Sequence, residues 1–204
     1  MQSWIESTVQ SAGYWGITFL MFLENVFPPI PSELVMPLAG YAAAQGRFTL
    51  WGAILMGTLG SVLGAIPLDY LGKWMGEERL RRFAAEHGHW LMLSEREVGR
   101  AVGTFDRHGT KMIFFGRLIP GIRSLISIPA GICEMNLAKF LLWTAAGASI
   151  WTALLAWAGH ALGERYQDIG QYVGWVTYAL LGGLLIWYVV YVWRRKKRKR
   201  QGRG

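Results

Sequence analysis

The chain has 204 residues, 52% of them apolar types and 17% charged, against a charged share of about 25% in soluble proteins. It holds 11 Trp, 26 Gly and 7 Pro, and Cys133 is its only cysteine, which excludes a disordered chain, a collagen and a disulfide scaffold and suits a single domain. The net charge of +8 is a property of the C-terminus: 8 of the 21 basic residues fall within the last eleven positions, leaving 13 basic against 13 acidic elsewhere. One terminal basic cluster beside an apolar run marks a membrane-flanking tail, whereas a nucleic-acid-binding protein spreads its basic residues over a folded face.

In chain order, residues 1–12 are too polar for a signal-peptide core and the first ten lack Lys and Arg, so a short interfacial helix is expected there. An apolar stretch at about 13–46 follows, broken at its centre by Glu24, Pro28, Pro29, Pro31, Glu33 and Pro37. Proline removes an amide donor and clashes with the preceding turn, so one continuous helix is not expected. Residues 48–68 carry no charge, and a span is expected over 48–72. The segment 73–111 has eight Lys/Arg and six Asp/Glu and reads as a cytoplasmic loop with one or two amphipathic surface helices. A second broken stretch, about 111–134, centres on Arg117, Pro120, Gly121 and Arg123; Pro-Gly is a turn signal. Two further spans are expected at 137–163 and 169–193, the last flanked by Tyr and Trp and by the basic tail 194–204, which places the C-terminus in the cytoplasm.

The two broken stretches match at a shift of 92 residues. Phe22 falls on Phe114, Pro28 on Pro120, Ile30 on Ile122, Ser32 on Ser124 and Pro37 on Pro129, and the match continues as Trp51 on Trp143, Ala53 on Ala145 and Leu63 on Leu155. With the orientations above, the fold class is an all-α polytopic membrane protein: an inverted repeat with two opposed re-entrant helical hairpins and about three full transmembrane helices, forming one membrane domain over 1–193. Irregular backbone at membrane depth requires protein or a wet cavity around it, and paired interrupted segments point to a transport site at the bilayer midplane.

The hairpins carry opposite charge. Glu24 and Glu33 lie in the first, Arg117 and Arg123 in the second, and ionisable groups at membrane depth face a cavity or each other. Arginine presents a planar fork to phosphate or carboxylate; a carboxylate can change protonation on desolvation. Arg117 and Arg123 are therefore read as binding an anionic head group, and Glu24 and Glu33 as coupling protons or gating the site. A static Glu–Arg network is the structural alternative. Asp69, Asn25, Ser32 and Ser124 are secondary candidates, and Pro28, Pro31, Pro120 and Gly121 form the hairpin turns. Gly60 and Gly64, like Gly159 and Gly163, allow close helix approach. The histidine spacings make no metal site and no cofactor is implied; the usual catalytic motifs are missing, so an enzyme is not expected.

Glu24-Asn25-x-x-Pro28-x-x-Pro31-Ser32-Glu33 with Pro37-x-x-Gly40 resembles the signature of the DedA membrane family, also called the SNARE-associated or VTT-domain group. Phe115-Gly116-Arg117-x-x-Pro120-x-x-Arg123 with Pro129-Ala130-Gly131 resembles its arginine motif, and Asp69-Tyr70-x-Gly72-Lys73-x-x-Gly76 the motif between them. The resemblance implies opposed hairpins and lipid translocation in a bacterial cytoplasmic membrane, with undecaprenyl phosphate as the lipid partner of bacterial members and phospholipid scrambling in eukaryotic relatives; some members are linked to the proton motive force. Some members have Asp as the second acid at longer spacing; here it is Glu33. The resulting expectation is a translocase of undecaprenyl phosphate. A proton-coupled carrier of small ions or drugs, a phospholipid scramblase and a scaffold are its rivals. Anionic lipids are expected at the basic tail, and the small size and packing glycines are compatible with a homodimer.

Overall fold

The structure is a computed structural model and describes residues 2–26, 32–91, 95–120 and 122–163. The expected span 169–193, the basic tail, Pro28, Pro31 and Gly121 lie outside the described residues. Six helices make up the described chain, with no strand among the described residues: α1 (Gln2–Val26), α2 (Ser32–Ala44), α3 (Leu50–Leu91), α4 (Glu95–Arg117), α5 (Ser127–Ile132) and α6 (Leu137–Leu162).

The apolar runs set the two long inner helices. Leu50–Arg79 and Leu137–Leu162 are each long and apolar enough to cross a bilayer. Asn136 starts α6 by accepting the amides of Ala138 and Lys139 on its side-chain oxygen. Thr58 and Thr152 share a hydroxyl hydrogen bond of 3.0 Å, while Ala65 shares an apolar cluster with Phe140. As α3 advances, its partners on α6 recede, so the two run antiparallel. Trp15, Trp51, Trp74 and Trp157 are 64 to 74% exposed, as are many Leu and Ile side chains to a lesser degree. So much exposed apolar surface suits a lipid environment, which the two long helices have the length to cross.

The broken stretches resolve into shorter helices. α1 bends at Gly13 (φ 60°), which divides the polar first eleven residues of the helix from the apolar remainder. It ends at Val26, two residues before the proline run, and α2 begins at Ser32. Pro37 lies inside α2 and removes one amide from its ladder, and its carbonyl faces Gly159 of α6. A Cβ at Gly40 would overlap the carbonyl of Ala156, and one at Gly159 that of Pro37, so α2 and α6 meet backbone to backbone. α5 meets α3 in the same manner, through Gly131 against Asp69 and Gly72 against Ile128. Gly60 and Gly64 seat α1 on α3 against the carbonyls of Thr18 and Phe22. Gly163 instead caps α6 at φ 48°, with open space around it.

Helix continues well past the apolar run in α3, which reaches Leu91 through a kink at Gly76 (φ 63°, ψ 163°). The charged segment 73–111 is thus largely helical, shared between the end of α3 and most of α4.

Candidate functional site

The site forms where the end of α1 meets the end of α4 and the turn that follows it. Asn25 donates its Nδ2 to Met21 O at 3.0 Å, one turn back on its own helix. That bond leaves the amide oxygen to accept, and Arg117 Nη1 donates to it at 2.9 Å. The other terminal nitrogen of Arg117 donates to Ser127 Oγ at 2.8 Å. Gly147 of α6 makes room for Arg117, since a Cβ there would lie 2.7 Å from the arginine Cβ. Arg117 is 2% exposed, its Nε has no partner, and no described carboxylate forms an ion pair with it.

Arg123 stands in the turn between α4 and α5, where its amide bonds to Ile119 O at 3.2 Å. It pairs with Glu24, the residue beside Asn25, and lies 5.9 Å from the ring centre of Trp151. The Trp151 indole nitrogen donates to Ser32 Oγ at 3.3 Å, tying α6 to the start of α2. Glu24 gives one oxygen to Arg123; the other, Oε2, has no partner. Glu24, Asn25, Ser32, Arg117, Arg123 and Ser127 are all buried.

Two guanidinium groups and one carboxylate leave this buried cluster one positive charge in excess. A buried charge without an opposite partner costs several kcal/mol, and Asn25 and Ser127 supply Arg117 with neutral hydrogen bonds only. The arrangement can accept one anion without bringing in a further cation.

The remaining sequence candidates stand apart from the cluster's bonds. Glu33 is half-buried in the first turn of α2 and makes no ion pair with a described residue. Asp69 is buried on α3, its Oδ2 2.7 Å from Lys73 Nζ. That contact falls outside hydrogen-bond angles, so both carboxylate oxygens lack a hydrogen-bond partner. Ser124 is half-buried in the turn with Arg123, and Pro120 is exposed there. Two contributors escape sequence reasoning: Ser127 holds Arg117 and Trp151 flanks Arg123. Thr144 is a further fully buried hydroxyl on α6, without a hydrogen-bond partner. Nothing in the spacing separates Ser127 from other small residues in apolar runs. Trp151 reads by sequence as a packing or interface residue. Among the described residues, no three His, Cys, Asp or Glu side chains group so that they could hold a metal ion.

Exposed tryptophans, two bilayer-length helices, and arginines buried at the end of α4 and in the turn after it suit a helical integral membrane protein. The chain belongs to the VTT-domain, or DedA, family: the model described as the VTT domain matches residues 30–161. It is 30% identical over 203 residues to a Staphylococcus aureus protein named undecaprenyl phosphate transporter A, covering 98% of this chain and 100% of that one. A Bacillus subtilis protein of the same name is 31% identical over 165 residues, 81% of this chain and 79% of its own. A Lactococcus lactis protein named alkaline phosphatase-like is 38% identical over 190 residues, 91% of this chain and 89% of its own. No solved structure matches the chain.

Proposed function

We propose that the protein is a carrier, not an enzyme, and moves undecaprenyl phosphate or a similar lipid phosphate between the leaflets of a bacterial cytoplasmic membrane. The observation that carries this reading is Arg117: a buried guanidinium held by two neutral side chains, with Nε unpartnered and no described carboxylate paired to it. The names of the Staphylococcus and Bacillus relatives support the lipid.

In this reading the phosphate meets Arg117 first, because that charge is uncompensated. Arg123 is held by Glu24 when the site is empty. An entering phosphate competes for Arg123, and Glu24 either takes a proton or turns away; on departure it returns to the arginine. Glu33, at the start of α2, is the second group that gates or carries a proton. Only the head group needs a polar path, while the isoprenoid tail stays in lipid beside the exposed apolar faces.

The segments around 13–46 and 111–134 are read as opposed re-entrant hairpins of an inverted repeat. Two features support this. Asn25 and Arg117, positions related by the shift of 92, bond to each other. Each second arm, α2 and α5, lies against the long helix of the other half through glycines. The domain is proposed to run over 1–193, with the basic tail on the cytoplasmic face.

Proteoliposomes with fluorescent undecaprenyl phosphate test the reading. The wild-type protein exposes inner-leaflet label to an external quencher, and Arg117→Gln protein, folded by size-exclusion profile, does not. Equal rates for the two proteins would overturn the head-group role. Equal movement of labelled phosphatidylglycerol would make the protein a scramblase.

A further inference from the structure

We infer that the protein has two docking pockets for the phosphate head of a membrane lipid, one near each end of the bundle, with Arg47 in one and Lys139 in the other; this rests on the lipid-phosphate reading above. A cavity of about 330 Å³ opens where α2 leads into α3, lined by Val9, Tyr41, Gln45, Arg47 and Phe48 among others. A second of about 500 Å³ opens where α5 leads into α6, lined by Phe105, Arg107, Lys111, Met135, Lys139 and Trp143 among others. Neither lies at the Arg117 cluster.

The two cavities correspond under the shift of 92 residues. Tyr41 falls on Cys133 and Arg47 on Lys139, and each residue lines the cavity of its own half. Because α3 and α6 run antiparallel and each cavity sits by the start of one of them, they open toward opposite ends of these helices. An inverted repeat would place one at each membrane face.

Their chemistry suits an anionic amphiphile. Arg47, Arg107, Lys111 and Lys139 are exposed and form no ion pair with a described residue. Gln45 adds an amide at the first cavity, where its Nε2 also donates to Tyr41 Oη at 2.6 Å. Asp106 is the carboxylate in the lining of the second cavity, set against three cations. Beside the cations, Val9 and Phe48 in one cavity and Phe105, Met135 and Trp143 in the other give apolar walls that a lipid chain can use and a free phosphate ion cannot. Basic residues at a membrane surface attract anionic head groups, and tryptophan favours that depth. A lipid collected at one face and released at the other needs such a site at both.

The test uses full-length protein in phosphatidylcholine nanodiscs containing undecaprenyl phosphate, with Phe48→benzoylphenylalanine or Trp143→benzoylphenylalanine as photo-cross-linker. The lipid is expected to be captured at both positions. Arg47→Gln should lower capture at position 48 about fivefold and spare position 143; Lys139→Gln should do the reverse. Arg47→Lys and Lys139→Arg should restore capture, and excess inorganic phosphate should leave it unchanged. Capture indifferent to these charges, or abolished by inorganic phosphate, would overturn the inference. Charge-dependent capture by a protein that moves no lipid would uphold the pockets and sink the translocation reading. Lipid movement with charge-indifferent capture would sink the pockets alone.

Discussion

Arg117 donates to Asn25 across 2.9 Å, joining two positions that stand 92 residues apart and correspond in the two halves of the sequence. The partner is an amide, so the bond satisfies the guanidinium without neutralising it. Supplying the missing charge should therefore disable the site. Asn25→Asp gives up the hydrogen bond to Met21 O and gains an ion pair with Arg117; in protein shown to be folded by its melting curve in detergent, it is expected to lose undecaprenyl phosphate binding measured by native mass spectrometry. Unchanged binding in that variant would remove Arg117 from the head-group site.

Arg117→Lys keeps the charge and loses the fork. A lysine cannot hold the Asn25 and Ser127 oxygens in the planar arrangement of a guanidinium. Lipid affinity is expected to fall by about tenfold, or about 1.4 kcal/mol. Titration of the lipid into nanodisc-held protein checks this.

Glu24 and Arg123 are both buried, and removing one partner strands the other. Glu24→Gln and Arg123→Gln are each expected to destabilise by about 3–5 kcal/mol, the double variant by much less than their sum. Transport should stay low in all three if the pair opens for the ligand. A double variant that regains both stability and transport would make the pair a static brace. Unfolding curves and the liposome assay on the same preparations read the two effects separately.

The glycine contacts predict effects of opposite sign. Gly131→Ala would drive a methyl into the carbonyl of Asp69, and Gly40→Ala into that of Ala156; overpacking of this kind costs about 1–3 kcal/mol. Gly103, inside α4, has nothing near its missing side chain, so Gly103→Ala should stabilise by up to about 1 kcal/mol through helix propensity. Melting temperatures in one detergent compare the three.

Part of this design was legible in the sequence. The runs that became α3 and α6 stood out because a bilayer-length helix must be apolar nearly throughout, whereas Gly163, read as a packing glycine, instead caps α6 with open space around it. The proline cluster after Glu24 announced the break between α1 and α2; the opposite signs of the two segments announced that an acid and an arginine would meet, but not that the pair would be Glu24 and Arg123 while Glu33 and Arg117 stay out of it. Helix ends beyond the apolar runs were less legible. α3 continues to Leu91 through charged residues, since water solvates a helix as well as a loop and the loss of apolarity marks only a change of solvent. Pro37 was readable as a breaker, yet it sits inside α2, where the close contact with Gly159 needs the carbonyl of the proline and not its amide. Ser127 and Trp151 could not be singled out, because their roles arise from which helices touch.

Gly76 has a consequence for the course of the longest described helix. Its backbone takes φ 63° and ψ 163° midway through α3, a conformation open to glycine and strained for other residues. The apolar shaft and the charged forearm beyond it are therefore joined at a bend, so one continuous run of helix changes direction where its composition changes from apolar to charged. Alanine in place of Gly76 would strain that bend by about 1–3 kcal/mol.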